Sequence, residues 1–153
     1  MDVSDVAGAL VVAVEPDPGQ ASRVAAVVRE LVRAELVIGD SARVVLAAIH
    51  ERAPDLILTS PLLPPGDEAM IADRLRQLGP MATHVQALTI PRLAPITPAE
   101  SGLMSVFRRK PSCAGSTGCA PEMFAEQVRG YLAQASMERE RHATPDEPAT
   151  RRR

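Results

Sequence analysis

Short apolar runs alternate with amphipathic stretches along most of the chain. The run from Ala9 to Val14 is continuously apolar, as expected of a strand that is covered on both faces of its sheet. After it, valines and leucines recur at helical spacing. The alternation continues and predicts strands at 9–14, 35–38, 56–59, 85–88 and 106–109. Helices are predicted at 18–34, 41–52 and 67–78, as a short segment from 97, and from Pro121 onward.

This order of elements predicts an α/β fold. Five strands alternating with five helices favour right-handed crossovers and a parallel sheet. The simplest arrangement is a flavodoxin-like, doubly wound sheet of order 2-1-3-4-5, with helices on both faces. Residues 1–8 are predicted to be an extension and 9–137 the domain. Residues 138–153 are charged, have no apolar period, and are predicted to form a disordered tail.

Two aspartates stand at predicted helix starts. Asp17 is followed by Pro18, which is typical of an N-cap and a first-turn proline. Asp67 is predicted to cap the third helix in the same way.

Composition excludes several classes of function. A net charge of -2 provides no positive field for nucleic acid, and an aromatic content of 2% leaves few rings for base stacking. The apolar run from Val6 to Val14 is too short to span a bilayer. We therefore expect a cytoplasmic protein that binds neither nucleic acid nor membrane. Cys113 and Cys119 are predicted to be free thiols, with a disulfide or a metal site as the alternatives.

Polar residues follow four of the predicted strands. Ligands bind at the carboxyl ends of the strands in such sheets, so these positions form the candidate site. Glu15, Pro16 and Asp17 follow strand one, Ser60 follows strand three, Thr89 ends strand four, and Lys110 ends strand five.

This pattern resembles the receiver domain of bacterial two-component response regulators, over about Ala9 to Ala135. The segment from Pro54 to Leu58 is similar to the lead-in to the family's phosphoacceptor aspartate. Further matches are the Pro-Gly loop at 64–66, the switch hydroxyl at Thr89, the switch aromatic at Phe107, and the lysine and cis-proline pair at Lys110 and Pro111.

The sequence departs from the family at the residues that carry its chemistry. The resemblance places Ser60 where the family has its aspartate, and Pro16 in its acidic pair beside Glu15. Mg²⁺ requires several oxygen ligands, some of them charged. We therefore expect no catalytic residue, no metal and no cofactor. In place of the aspartate, Glu15 is predicted to pair with Lys110, beside the hydroxyls of Ser60 and Thr89.

The first hypothesis is a degenerate receiver that is not an enzyme and that binds another signalling protein or itself. A homodimer would use the face made by the fourth helix, fifth strand and fifth helix. The alternative is a working phosphorelay receiver with atypical acceptor and Mg²⁺ residues. A flavodoxin-like ligand binder is disfavoured because residues 15–19 lack a phosphate cradle. A serine hydrolase is disfavoured because His84 precedes strand four, at the opposite end of the sheet from Ser60.

Overall fold

The computed structural model describes residues 8–95 and 118–143. Within them, four parallel strands form one sheet in the order β2-β1-β3-β4, which confirms the predicted parallel α/β architecture. The predicted fifth strand lies outside the described residues. The strands are β1 (Leu10–Val14), β2 (Glu35–Gly39), β3 (Leu56–Thr59) and β4 (Gln86–Thr89).

Four α-helices are described, and the first three return the chain from the carboxyl end of one strand to the amino end of the next. They are α1 (Pro18–Ala26), α2 (Ala42–Ile49), α3 (Pro65–Leu78) and α4 (Pro121–Ala143). A π-helical segment, Val27–Val32, continues α1, and a 3₁₀ turn, Gly79–Ala82, follows α3. The short helix predicted from residue 97 lies outside the described residues, so α4 corresponds to the predicted fifth helix. None of the described helices has the length and apolarity needed to cross a membrane.

The continuous apolar run of β1 is explained by its position between β2 and β3, with a core on each face. Val11 and Ala13 belong to one core cluster, together with residues of α1 and α4. Leu10, Val12 and Val14 belong to the other, together with residues of α2 and α3. All five residues of β1 are buried, so the strand has no polar face.

Asp17 has the predicted role and Asp67 does not. The Oδ1 of Asp17 accepts a hydrogen bond from the N–H of Gly19 (2.9 Å), which caps α1. Helix α3 begins earlier than predicted, at Pro65, whose missing N–H is no loss in a first turn. Asp67 therefore lies inside α3, where its Oδ2 accepts from the N–H of Ala42 (3.0 Å) at the start of α2. The carboxylate thus joins two helices.

Helix α4 extends past the predicted start of the tail. Residues 138–143 are helical, which corrects the expectation of disorder for this part of the chain. Glutamate and arginine are good helix formers, and Glu138 pairs with Arg141 one turn later (2.9 Å), so the helix continues without an apolar period. Residues 144–153 lie outside the described residues, and the division into domains remains a prediction.

The segment before α4 is also more ordered than predicted. Cys119 lies in the stretch that we expected to be a loop, but it is 1% exposed and forms a parallel bridge with Leu93. Its N–H donates to the carbonyl of Arg92 (2.6 Å), and its carbonyl accepts from the N–H of Ala94 (2.9 Å). Cys119 is disulfide-bonded, so the prediction of a free thiol at this position is wrong. Cys113 lies outside the described residues.

Gly118 permits this close approach of the two segments, and replacing it tests the bridge. It has φ +94°, and an added Cβ would lie 2.9 Å from the carbonyl oxygen of Arg92. We expect Gly118→Ala to lower the free energy of unfolding by about 1–3 kcal/mol in urea denaturation. Gly130→Ala is the matched control, because a Cβ there meets nothing within 4 Å. It should raise the free energy of unfolding by about 0.5–1 kcal/mol. Equal effects would contradict this account.

Candidate functional site

The ends of β1, β3 and β4 lie side by side and bring the predicted site residues to one edge. Val14 pairs with Thr59, and Thr59 pairs with Thr89. The backbone ladder continues one residue further, since the N–H of Ser60 donates to the carbonyl of Val14 (3.0 Å). The N–H of Glu15 likewise donates to the carbonyl of Gly39 (3.0 Å). Glu15 and Ser60 therefore follow two adjacent strands directly.

Glu15 is a buried carboxylate, 5% exposed. Its Oε1 accepts a hydrogen bond from the backbone N–H of Asp17 (3.0 Å). This bond turns the carboxylate toward the following loop, in which Pro16 offers no side-chain ligand atom. The loop after β1 is thus shaped by its own first residue.

Ser60 is 8% exposed, and both its hydroxyl and its carbonyl belong to the turn after β3. The hydroxyl accepts from the N–H of Leu62 (3.3 Å), and the carbonyl accepts from the N–H of Leu63 (3.2 Å). A serine that accepts from an N–H two residues later is a common turn former. The geometry is that of a hydrogen-bonded residue at a strand end.

Thr89 is exposed at the end of β4, on the same edge as Ser60. Phe107, Lys110 and Pro111, the other residues matched to the receiver pattern, lie outside the described residues. The predicted pairing of Glu15 with Lys110 therefore stays a prediction.

Two of the three positions where the resemblance implies Mg²⁺ ligands, Pro16 and Ser60, carry no carboxylate. A hard cation needs several oxygen ligands with at least one or two charges. Asp17 caps a helix, Glu15 accepts the Asp17 N–H through one oxygen, and Ser60 is neutral. Across 8–95 and 118–143, no three histidine, cysteine, aspartate or glutamate side chains gather into a metal-binding group.

Comparison with solved structures identifies the fold. A CheY-like response regulator receiver domain protein from Methanospirillum hungatei JF-1 superposes with a TM-score of 0.52 and 17% sequence identity. The match covers 86% of this chain and 98% of that one. The chain has the receiver-domain fold. The receiver domain of the hybrid histidine kinase CckA is also similar, with a TM-score of 0.46, 19% identity, and coverage of 80% and 98%. No family model and no curated protein matches the sequence.

A second cluster of charged side chains, at the opposite end of the sheet, was missed from the sequence. Asp55 is 3% exposed and stands directly before β3, with His84 and Arg139 around its carboxylate. The available signal is a single acidic residue directly before a strand whose first three residues are apolar and buried. The sequence pattern places Asp55 in the lead-in to the receiver acceptor and Arg139 in the predicted tail, so it predicts no contact between them.

Substitution of Asp17 separates a capping role from a ligand role. Asparagine caps helices about as well as aspartate, whereas alanine cannot accept the Gly19 N–H. We expect Asp17→Asn to leave the free energy of unfolding unchanged and Asp17→Ala to lower it by about 1 kcal/mol. Thermal unfolding followed by circular dichroism measures both. A large loss in the asparagine variant would show that the charge itself is needed.

Proposed function

We propose that this protein is a degenerate receiver: a non-catalytic signalling module that acts by binding another signalling protein or a second copy of itself. The observation that carries the proposal is the residue after β3. In the fold's usual position for a phosphoacceptor carboxylate, Ser60 uses its hydroxyl to close a turn.

The chemistry of phosphotransfer supports this proposal. A receiver accepts the phosphoryl group on a carboxylate oxygen as an acyl phosphate, whereas a serine would form a phosphate ester. Serine is a weak nucleophile without an adjacent base. His50 follows α2, and His84 precedes β4, so both lie toward the amino ends of the strands. His142 ends α4 close enough to His84 to affect its pKa. None of these imidazoles lies at the Ser60 edge.

The hydrogen bonds of the loop after β1, at residues 15–17, also support a non-catalytic role. Pro16 offers no ligand where an acidic pair is required, and the carboxylates of Glu15 and Asp17 both accept backbone hydrogen bonds. These bonds give the loop a fixed shape without a cation. We propose that the pocket holds one arrangement and that signalling depends on binding surfaces instead.

The partner is proposed from the resemblance. Another signalling protein, or a second copy docking through α4 and the segments matched to the fourth helix and fifth strand, fits the receiver fold. The cytoplasm is the compartment that this function requires, although the disulfide at Cys119 is of a kind that persists mainly under oxidising conditions.

A working phosphorelay receiver is the second candidate. The observation that favours it is the presence of two carboxylates, Glu15 and Asp17, in the loop that follows β1. If the Asp17 side chain no longer capped α1, the loop could present both carboxylates to a cation. This candidate predicts phosphorylation, so one experiment separates the two.

Incubation with acetyl phosphate and Mg²⁺, followed by intact-mass spectrometry, is that experiment. We expect no species heavier by one phosphoryl group, because the edge offers neither an activated acceptor nor a charged metal site. An active receiver domain treated in parallel is the positive control. A phosphorylated species in the wild type that disappears in Ser60→Ala or Asp17→Asn would establish the second candidate instead.

The proposed ion pair between Glu15 and Lys110 has its own test. A buried carboxylate that lost its ammonium partner would be left uncompensated, so each single substitution should destabilise the fold. In a double-mutant cycle with Glu15→Gln and Lys110→Met, we expect a coupling free energy of about 1–3 kcal/mol from urea denaturation. Additive effects of the two substitutions would show that the two side chains do not form an ion pair.

A further inference from the structure

The amino end of the sheet holds a buried carboxylate that the proposed function does not use. Asp55 bridges the starts of three strands through its backbone. Its N–H donates to the carbonyl of Leu10 (2.8 Å), and its carbonyl accepts from the N–H of Gln86 (2.9 Å). The side-chain Oδ2 accepts from the N–H of Leu10 (2.8 Å), so the carboxylate is held in place.

The other oxygen, Oδ1, faces two basic side chains at once. The Nε2 of His84 lies 3.2 Å away, and the guanidinium of Arg139 contacts the same oxygen. Among the described residues, neither Oδ1 nor Nε2 makes an aligned hydrogen bond. The side chains of Asp55 and His84 are 4% and 10% exposed, whereas that of Arg139 is 52% exposed. The arginine therefore reaches a buried charge from the surface.

Little else buries the end of the helix that carries Arg139. Ala135 is the last residue of α4 that is buried, and residues 139–143 are all exposed. The local unfolding of a helix end with few buried contacts costs little free energy. The contact with Asp55 is thus a main attachment of this end to the sheet.

We propose that residues 138–143 form a detachable arm, held on the sheet by the ion pair of Asp55 with Arg139 and released when His84 takes up a proton. The fold would then carry a pH-sensitive device at the end opposite to Ser60.

Competition for a single oxygen explains the release. When His84 is neutral, Arg139 supplies the positive charge that the buried carboxylate requires. When His84 is protonated, it supplies that charge from 3.2 Å away, and the arginine is no longer needed. The added charge also repels Arg139 and His142, both of which belong to the arm. Protonation of His84 therefore weakens docking in two ways: it replaces the attraction between Asp55 and Arg139, and it repels the arm.

The pKa of His84 gives the sign of the effect. Burial lowers this pKa below its ordinary value, and the nearby His142 lowers it further. With the arm released, His84 is less buried and its pKa returns toward the ordinary value of about 6.5. The released state therefore binds the proton more tightly. Docking is complete above about pH 6.5 and is lost as the pH falls toward the lowered value.

The other charged groups nearby leave this account unchanged. On α4, Glu138 pairs with Arg141 (2.9 Å), and Glu140 also has an interaction of its own. At the same end of the sheet, Glu35 pairs with Arg52 (2.9 Å), but it starts β2, two strands away from β3.

Hydrogen exchange of the full chain tests the proposal. We expect the amides of residues 138–143 to exchange about tenfold faster at about pH 5 than at about pH 7.5, after correction for intrinsic rates. Amides of β1 and β3 should stay protected at both pH values, which verifies that the fold is intact. Unchanged protection of the arm at the lower pH would overturn the proposal.

Four variants test which residue takes up the proton and which residue attaches the arm to the sheet. His84→Gln should keep the arm protected at both pH values, and His142→Gln should still show release. Arg139→Gln should lose protection of the arm at both, whereas Arg141→Gln, which breaks the exposed pair with Glu138 but keeps the contact with Asp55, should lose much less of it. Release that persists in His84→Gln, or protection in Arg139→Gln equal to that in Arg141→Gln, would contradict the mechanism.

Discussion

The structure depends on the burial of β1 on both of its faces. Because β1 lies between β2 and β3, both edges of its backbone pair with a neighbouring strand, and its side chains must enter two different cores. Val11 contributes to the core under α1 and α4, and Val12 to the core under α2 and α3. A polar residue within β1 would be unpartnered on either side. Polar groups are therefore confined to the two ends of the central strands.

Polar and charged side chains therefore lie at both the carboxyl and the amino ends of the central strands. At the carboxyl end, Glu15 and Ser60 follow β1 and β3, and both fold back onto their own loops. At the amino end, Asp55 turns its carboxylate onto the N–H of Leu10, the first residue of β1. We propose that the first end does not capture phosphate, because Ser60 stands directly after β3 and Pro16 directly after Glu15. The second has a charged contact that links the last helix to the sheet.

The sequence was sufficient for the order of strands, since the alternation of apolar runs and amphipathic stretches is dictated by a sheet covered on both faces. It also predicted the cap at Asp17. It failed where a long-range contact decides the outcome. Asp67 turned toward Ala42 of α2, which no local pattern reveals. Cys119 is buried because Leu93 pairs with it, although its neighbours in the chain, Gly118 and Ala120, are small and give no strand pattern. The end of α4 is helical through pairs such as Glu138 with Arg141, which an apolar period cannot indicate.

We propose that the edge at Ser60 has the receiver fold without a Mg²⁺ site. Titration of the full chain with Mg²⁺, followed by amide NMR, tests this most directly. We predict that the amide resonances of Glu15, Asp17 and Ser60 do not shift saturably at millimolar Mg²⁺, because each side chain already accepts a hydrogen bond within its own loop. Saturable shifts confined to these amides would contradict it, since they would reveal a cation site in the loop after β1.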